Sequence, residues 1–227
     1  RYKFGLTATA SRGDSLIKTM YSILGCNHNG DFLPVTEIEK DKTNTLMSEH
    51  KRVDLETPYD FSILNEDGTF NYINLIDYLS NSEERNSAIV NNIISNSAVH
   101  SYQLVLCQRI EQCEIINQKL LDQGIKSVLL VGSVSAKKRK EILEGEKDWQ
   151  VIVATYSLAK EGLDVPELSC LHLAMITSDK AATIQSAGRI ERVCENKPAP
   201  VVYDYVDVNI PYCLGKYKKR KGWLKNR

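Results

Sequence analysis

The sequence predicts an α/β protein built on a parallel sheet with helices on both faces. Two observations carry that expectation. From about residue 86 onward, short apolar runs alternate with amphipathic stretches of 10 to 15 residues, the signature of βαβ units. The apolar runs are also near-continuous in Val, Ile and Leu, as strands buried on both faces must be. A chain of 227 residues, 42 % apolar and 26 % charged, is long enough for one large domain or a domain with a substantial extra piece.

The elements follow in order. ERNSAIVNNIISN (84–96) has helical spacing, with Ile89, Ile93 and Ile94 on one side. YQLVLCQ (102–108) is a strand-length apolar run, and RIEQCEIINQKLLDQG (109–124) is an amphipathic helix stopped by Gly124. KSVLLVG (126–132) is the next strand, followed by the helix SAKKRKEILEGE (135–146), which Ser135 is suited to cap. WQVIVATY (149–156), SCLHLAMI (169–176) and PVVYDYVD (200–207) are further strands. SDKAATIQSAGRIERV (178–193) lies between the last two as a helix. These elements define an α/β domain over roughly 60–212.

The opening segment does not join this rhythm. KFGLTAT (3–9) reads as a buried strand, DSLIKTMYSIL (14–24) as a helix and FLPVTEI (32–38) as another strand. The polar stretch 39–60 reads as an extended connection, and FSILNEDGTFNYI (61–73) as a hairpin around Asp67 and Gly68. The chain begins RYKFGLTATAS, with neither Met nor a secretory signal, and so reads as a fragment starting mid-domain.

Composition excludes several classes. No apolar run approaches the ~20 residues of a membrane span. The six cysteines form no CxxC pair, and Cys107 and Cys170 lie in apolar runs, as reduced thiols of a cytoplasmic protein do. Cys26 and His28 have no second ligand pair at matching spacing, so no metal site is expected. The formal net charge of zero hides an asymmetry. The last twelve residues hold seven Lys or Arg and no acid, leaving 22 basic against 29 acidic residues elsewhere. Such a tail, with Tyr217 and Trp223 interleaved, either reaches toward phosphates and bases or is a solubilising terminus.

In an open parallel sheet, ligands bind outside the carboxyl ends of the strands. QVIVATY runs into SLAKEGLDVPEL, which spaces Thr155, Gly162, Asp164 and Pro166 along one loop. Glycine permits close approach, Asp accepts hydrogen bonds from ribose hydroxyls, and Thr and backbone N–H groups hold phosphate. After the strand ending LAMI comes IQSAGRIERV, whose Gln185, Arg189 and Arg192 fall at i, i+4 and i+7 and share a face if the helix continues. Gly188 stands among them although an interior helical glycine costs about 1 kcal/mol against alanine, which suggests the close approach of another backbone. Neither GxxxxGK[ST] nor GxGxxG occurs. Guanidinium pairs aimed at a phosphate whose cradle is elsewhere suggest an arginine finger acting across an interface.

Four segments then carry a family resemblance. TAT (7–9), LVLCQRIEQCEII (104–116), ATYSLAKEGLDVP (154–166) and QSAGRIER (185–192) resemble, in order, motifs III, IV, V and VI of superfamily 2 helicases. The resemblance implies a motor of two RecA-like domains, with ATP and Mg²⁺ between them and nucleic acid across both. It identifies residues 1–50 as the end of the first RecA-like domain, 51–85 as a connection, 86–212 as the second RecA-like domain and 213–227 as a basic tail. The missing N-terminal RecA-like domain is the implied partner, bearing the phosphate cradle and the Mg²⁺-binding acids; the alternatives are a stand-alone nucleic-acid-binding RecA-like module without motor activity, or an RNA helicase fragment. QSAGRIER differs from the HRxGRxGR of DEAD-box RNA helicases and is closer to DNA translocases and helicases of restriction, repair and phage recombination.

By the same resemblance, Arg192 and Arg189 approach the γ-phosphate, Arg192 being the better finger candidate, and Gln185 orients groups there. Gly162 and Asp164 meet the ribose side of the nucleotide. Thr155 or Ser157, with Arg109, Gly132 and Ser133, face the nucleic-acid backbone. Thr7 and Thr9 couple nucleotide state to domain movement. A KFGLTAT strand without its natural neighbours is expected to make the fragment self-associate.

Overall fold

The computed structural model describes residues 46–160 and 163–225. Thr7, Thr9, Gly162 and the KFGLTAT strand lie outside the described residues. Six strands form one all-parallel sheet: β1 (Glu49–Leu55), β2 (Gln103–Cys107), β3 (Ser127–Leu130), β4 (Val151–Thr155), β5 (Cys170–Leu173) and β6 (Val201–Asp207), in the order β1-β6-β5-β2-β4-β3. Seven α-helices join or flank them: α1 (Tyr72–Asn81), α2 (Glu83–Asn96), α3 (Ile110–Asp122), α4 (Ala136–Glu144), α5 (Tyr156–Lys160), α6 (Lys180–Ile190) and α7 (Pro211–Lys225).

The unbroken apolar runs are explained by burial on both faces. In β2, Leu104 and Leu106 face one cluster with α1, α6 and α7, while Val105 and Cys107 face another with α2 and α3. Local chemistry sets the helix ends. Ser135 accepts a bond from the Lys138 N–H at the start of α4, as its position in the sequence suggests. Gly124, at φ +75°, ends α3 while the N–H of Ile125 returns to the Leu120 carbonyl, a left-handed cap that favours glycine.

Three expectations need correction. The stretch 39–60 is not merely a connection: β1 lies within it and pairs in register with β6, from Glu49 opposite Val201 to Leu55 opposite Asp207. Among the described residues the sheet therefore begins at Glu49, and the expected boundary at 86 falls inside α2 (Glu83–Asn96), which covers that sheet. EHKRVDL was hard to recognise because an edge strand carries few apolar residues, and here only Leu55 is buried. The hairpin at 61–73 reduces to a 3₁₀ turn, Phe61–Ile63, and a single antiparallel bridge between Leu64 and Phe70 around Gly68.

The third correction concerns the basic tail, most of which is the packed helix α7. Cys213, Tyr217, Arg220 and Leu224 recur at helical spacing and are buried. Arg220 is fully buried against Asp204 of β6, its Nε 3.1 and 3.0 Å from the two carboxylate oxygens and Nη2 2.5 Å from Oδ1. On the opposite face Arg85 of α2 donates from Nε to Asp207 at 2.9 Å, and the Thr57 hydroxyl donates to the same oxygen at 2.6 Å. The strand VVYDYVD thus carries two buried carboxylates, one per face, each matched by an arginine from the covering helix. Among the described residues, no helix is long and apolar enough to cross a membrane.

Candidate nucleotide and nucleic-acid site

Because all six strands are parallel, their carboxyl ends share one edge, and the expected site residues divide along it by strand. β2, β4 and β3 are neighbours, with Cys107 opposite Thr155 and Leu130 opposite Ala154. Arg109 follows β2, Gly132 and Ser133 follow β3, and Thr155 ends β4 with Ser157 just beyond. At a strand spacing of roughly 4.8 Å, these three ends cover a front about 10 Å wide. Motif VI emerges from β5, on the other side of β2.

On the β2-β4-β3 side, Gly132, Ser133 and Ser157 are exposed, and Thr155 is nearly buried with its hydroxyl 3.0 Å from that of Ser157. Ser157 is therefore the better presented of the two hydroxyls. Arg109 precedes α3, partly exposed, with Nε 2.8 Å from Asp77 of α1. Gln108 beside it donates to the Tyr72 hydroxyl at 2.9 Å and to the Ile176 carbonyl. It thereby ties the end of β2 to the segment that follows β5.

The other group converges. Arg189, half-buried on α6, donates from Nη1 to the Leu163 carbonyl, and burial pulls its pKa below the ordinary value. Arg192 pairs with the Asp164 carboxylate, the two side chains 44 % and 69 % exposed. Lys197 completes the set, its Nζ 2.8 Å from both the Pro166 and the Arg192 carbonyls. Three cations of 189–197 therefore grip three successive acceptors along 163–166, binding the loop after α5 to the end of α6. Desolvation, the largest influence on Lys197, brings its pKa down to about 8. Sequence reasoning passed over Lys197 because CENKPAP has no periodicity to mark it.

Arg192 does not share a helical face with Gln185 and Arg189 as expected. α6 ends at Ile190, capped by Glu191, so Arg192 stands beyond it on non-helical backbone. Gln185 is half-buried within α6. Gly188 is exposed, and a Cβ built there would meet nothing within 4 Å. The close approach its presence suggested is not made by any described residue.

A metal ion finds no prepared ligand set, since no group of three His, Cys, Asp or Glu able to hold one occurs among the described residues. The residues that do meet, two guanidiniums and a carboxylate at a glycine-bearing loop, suit the charged edge of a nucleotide rather than a cation. Nothing in them substitutes for a phosphate cradle.

Comparison with known proteins agrees with this geometry. Residues 84–194 match the helicase conserved C-terminal domain. A probable helicase of Escherichia phage T5 is 29 % identical over 105 residues, covering 45 % of this chain and 23 % of that protein. A putative ATP-dependent RNA helicase of Acanthamoeba polyphaga mimivirus is 23 % identical across the whole chain, which spans 42 % of that protein. The chain thus corresponds to less than half the length of these relatives. Among solved structures, the C-terminal domain of the DEAD-box protein Dbp5 aligns with a TM-score of 0.51 at 18 % identity, covering 63 % of this chain and 81 % of that one. A variant of S. cerevisiae Dbp5 bound to RNA and ADP BeF3 aligns with a TM-score of 0.57 at 15 % identity, over 96 % of this chain and 48 % of that one. Residues 84–194 thus match a helicase conserved C-terminal domain, and the parallel sheet with its flanking helices has the fold of such domains.

Proposed function

We propose that this chain is the C-terminal half of an ATP-dependent DNA helicase or translocase. In this reading it supplies arginine fingers and nucleic-acid contacts to a motor whose P-loop and Mg²⁺-binding acids belong to the N-terminal RecA-like domain. The observation that supports it best is the convergence of Arg189 and Arg192 on Leu163 and Asp164. Two segments that the resemblance assigns to the nucleotide meet at one point. ATP supplies the phosphoanhydride bond whose hydrolysis drives the motor.

Arg192 presents paired N–H donors to developing phosphate charge, and Arg189 and Gln185 flank it. Asp164, with Gly162, accepts from ribose hydroxyls. Arg109, Gly132, Ser133, Ser157 and Thr155 face the nucleic-acid backbone along the neighbouring strand ends. Thr7 and Thr9 belong to the coupling segment of the preceding domain. The DNA preference rests on QSAGRIER, whose Gln185, Ser186 and Glu191 depart from the RNA-helicase form. A cytoplasmic setting is supported by the free thiols Cys107, Cys113, Cys170, Cys194 and Cys213.

The test is ATP hydrolysis by the full-length protein and its Arg192→Ala and Arg192→Lys variants, with DNA or RNA added. Loss of an arginine finger costs about 10³–10⁵ in turnover, and lysine does not reproduce the paired geometry. Both variants are expected to lose most hydrolysis while keeping nucleotide-free DNA affinity, which rests on many separate phosphate contacts. The isolated chain is expected to be inactive. Normal hydrolysis in Arg192→Ala with lost DNA binding would overturn the assignment, and stimulation by RNA alone would move the substrate to RNA.

A further inference from the structure

The feature that this reading leaves unused is the charge of α7. Its sequence, PYCLGKYKKRKGWLK, contains no acid, and its cations divide into distinct roles. Arg220 is locked in the core by Asp204. Lys216 reaches Ser178 at 2.6 Å and lies 4.8 Å from the centre of the Tyr212 ring. Lys218, Lys219, Lys221 and Lys225 point outward and are exposed. Among the described residues none of these four has an ion-pair partner.

The neighbouring edge strand behaves differently, since Lys51 is paired with Glu49 and Arg52 with Asp54. A solvated helix face ordinarily mixes signs, because Glu and Lys at i and i+4 stabilise and like charges at that spacing destabilise by about 0.2–0.5 kcal/mol per pair. Here Lys218, Lys221 and Lys225 follow one another at three and four residues, on one face, with no acid on the helix to offset them. The helix dipole accounts only for Lys225 in the last turn.

We propose that the outer face of α7 is a second nucleic-acid contact surface, a rigid row of lysines that binds the phosphate backbone after it leaves the strand-end site. This rests on the reading of the chain as a nucleic-acid motor and deepens it. Polyanion is the occupant that charge favours: the row is unneutralised, whereas the rest of the chain carries 22 basic against 29 acidic residues. Rigidity follows from packing, since Tyr217, Arg220 and Leu224 fix the helix and hold the lysines in register. The helix starts at Pro211, four residues after β6 ends at the carboxyl edge, and its lysines follow from 218 to 225, two strands across from β2. Lysine suits such a track because it meets phosphate as a point charge without demanding one geometry.

The test uses the full-length protein and the combined Lys218→Gln, Lys219→Gln, Lys221→Gln and Lys225→Gln variant. Truncating α7 is unsuitable, because it would remove core residues. Affinity for fluorescent oligothymidylate is measured from about 50 to 200 mM salt, where each phosphate contact on a single strand contributes roughly 0.7 to the slope of log K against log salt. The Gln variant is expected to be shallower by up to about 3, so that wild type loses about 50-fold more affinity across that interval. The corresponding Lys→Arg variant is expected to restore the slope, and an unchanged urea midpoint excludes misfolding. Equal slopes in wild type and the Gln variant would overturn this surface and leave the motor reading intact. Absence of salt-dependent binding in wild type would overturn both. An unchanged DNA slope with lost binding to phosphatidylserine vesicles would assign the row to a membrane instead.

Discussion

Arg220 is a fully buried guanidinium at the end of a sequence that looks like a solvated tail, and replacing it tests the packing of α7. In Arg220→Met the aliphatic stem is retained while three hydrogen bonds to Asp204, of 2.5 to 3.1 Å, are lost. The carboxylate stays in a site with no solvent exposure, faced among the described residues by the His50 Nε2 at 3.2 Å. Breaking a buried pair by removing one partner costs about 3–5 kcal/mol, because the remaining charge is uncompensated. Against a total stability of roughly 5–15 kcal/mol, that is a large fraction.

Removing both charges is a different perturbation. The double variant Arg220→Met, Asp204→Leu leaves no orphaned ion, and such replacements are neutral or stabilising in many proteins. It is expected to lie within about 1 kcal/mol of wild type, giving a coupling energy of several kcal/mol in the double-mutant cycle. Urea unfolding of the full chain, followed by tryptophan fluorescence, measures all four corners. A cost below about 1 kcal/mol for Arg220→Met, or a double variant as unstable as the single, would refute the buried pair and the packing of α7.

Two further outcomes follow from the structure. His172 is fully buried, with Nδ1 2.9 Å from the Tyr205 hydroxyl and Nε2 2.8 Å from Gln103 Oε1, and burial depresses its pKa from 6.5 to about 3. Below pH 6.5 the unfolded chain binds a proton that the folded chain refuses, so stability is full above that pH and falls toward about 3, by at most about 5 kcal/mol. His172→Gln should flatten this acid limb in urea titrations, and an unchanged limb would show that other groups carry it. Gly188→Ala is expected to stabilise α6 by about 0.5–1 kcal/mol, since a Cβ meets nothing there. In the proposed motor it is nevertheless expected to lower hydrolysis if a segment other than the described residues packs against the glycine; unchanged activity would remove that role.

What the sequence made legible depended on burial. Strands β2 and β4 are covered on both sides and appear as unbroken apolar runs, so their ends, and with them Arg109 and Thr155, were correctly located. β1 lies at an edge and reads EHKRVDL, with no apolar pattern to separate it from a linker. α7 was obscured by a different cause. Its core-facing stripe contains Arg220, which counts as apolar only once Asp204 is known to meet it, and the two are 16 residues apart. The clasp of Arg189, Arg192 and Lys197 on 163–166 was half visible. Residue spacing flagged the guanidiniums, but their acceptors include two backbone carbonyls, which no sequence pattern marks.

That clasp bears on how the proposed finger acts. In this structure the Arg192 guanidinium is already engaged by Asp164, so its use on a phosphate requires that contact to be exchanged. Exposure makes the exchange inexpensive. Both side chains are well solvated, at 44 % and 69 %, and a pair of that kind contributes only about 0–1 kcal/mol. Charge-assisted bonds to a desolvated phosphate are roughly twice as strong as neutral ones, so the guanidinium gains by moving. Its backbone is tied from two directions: the Glu191 carbonyl accepts from the Leu46 N–H, and Lys197 bridges the Arg192 carbonyl to that of Pro166. The side chain is therefore held more loosely than the backbone that carries it. A finger needs that combination: its reach is set in advance, and only its last few bonds change as charge develops.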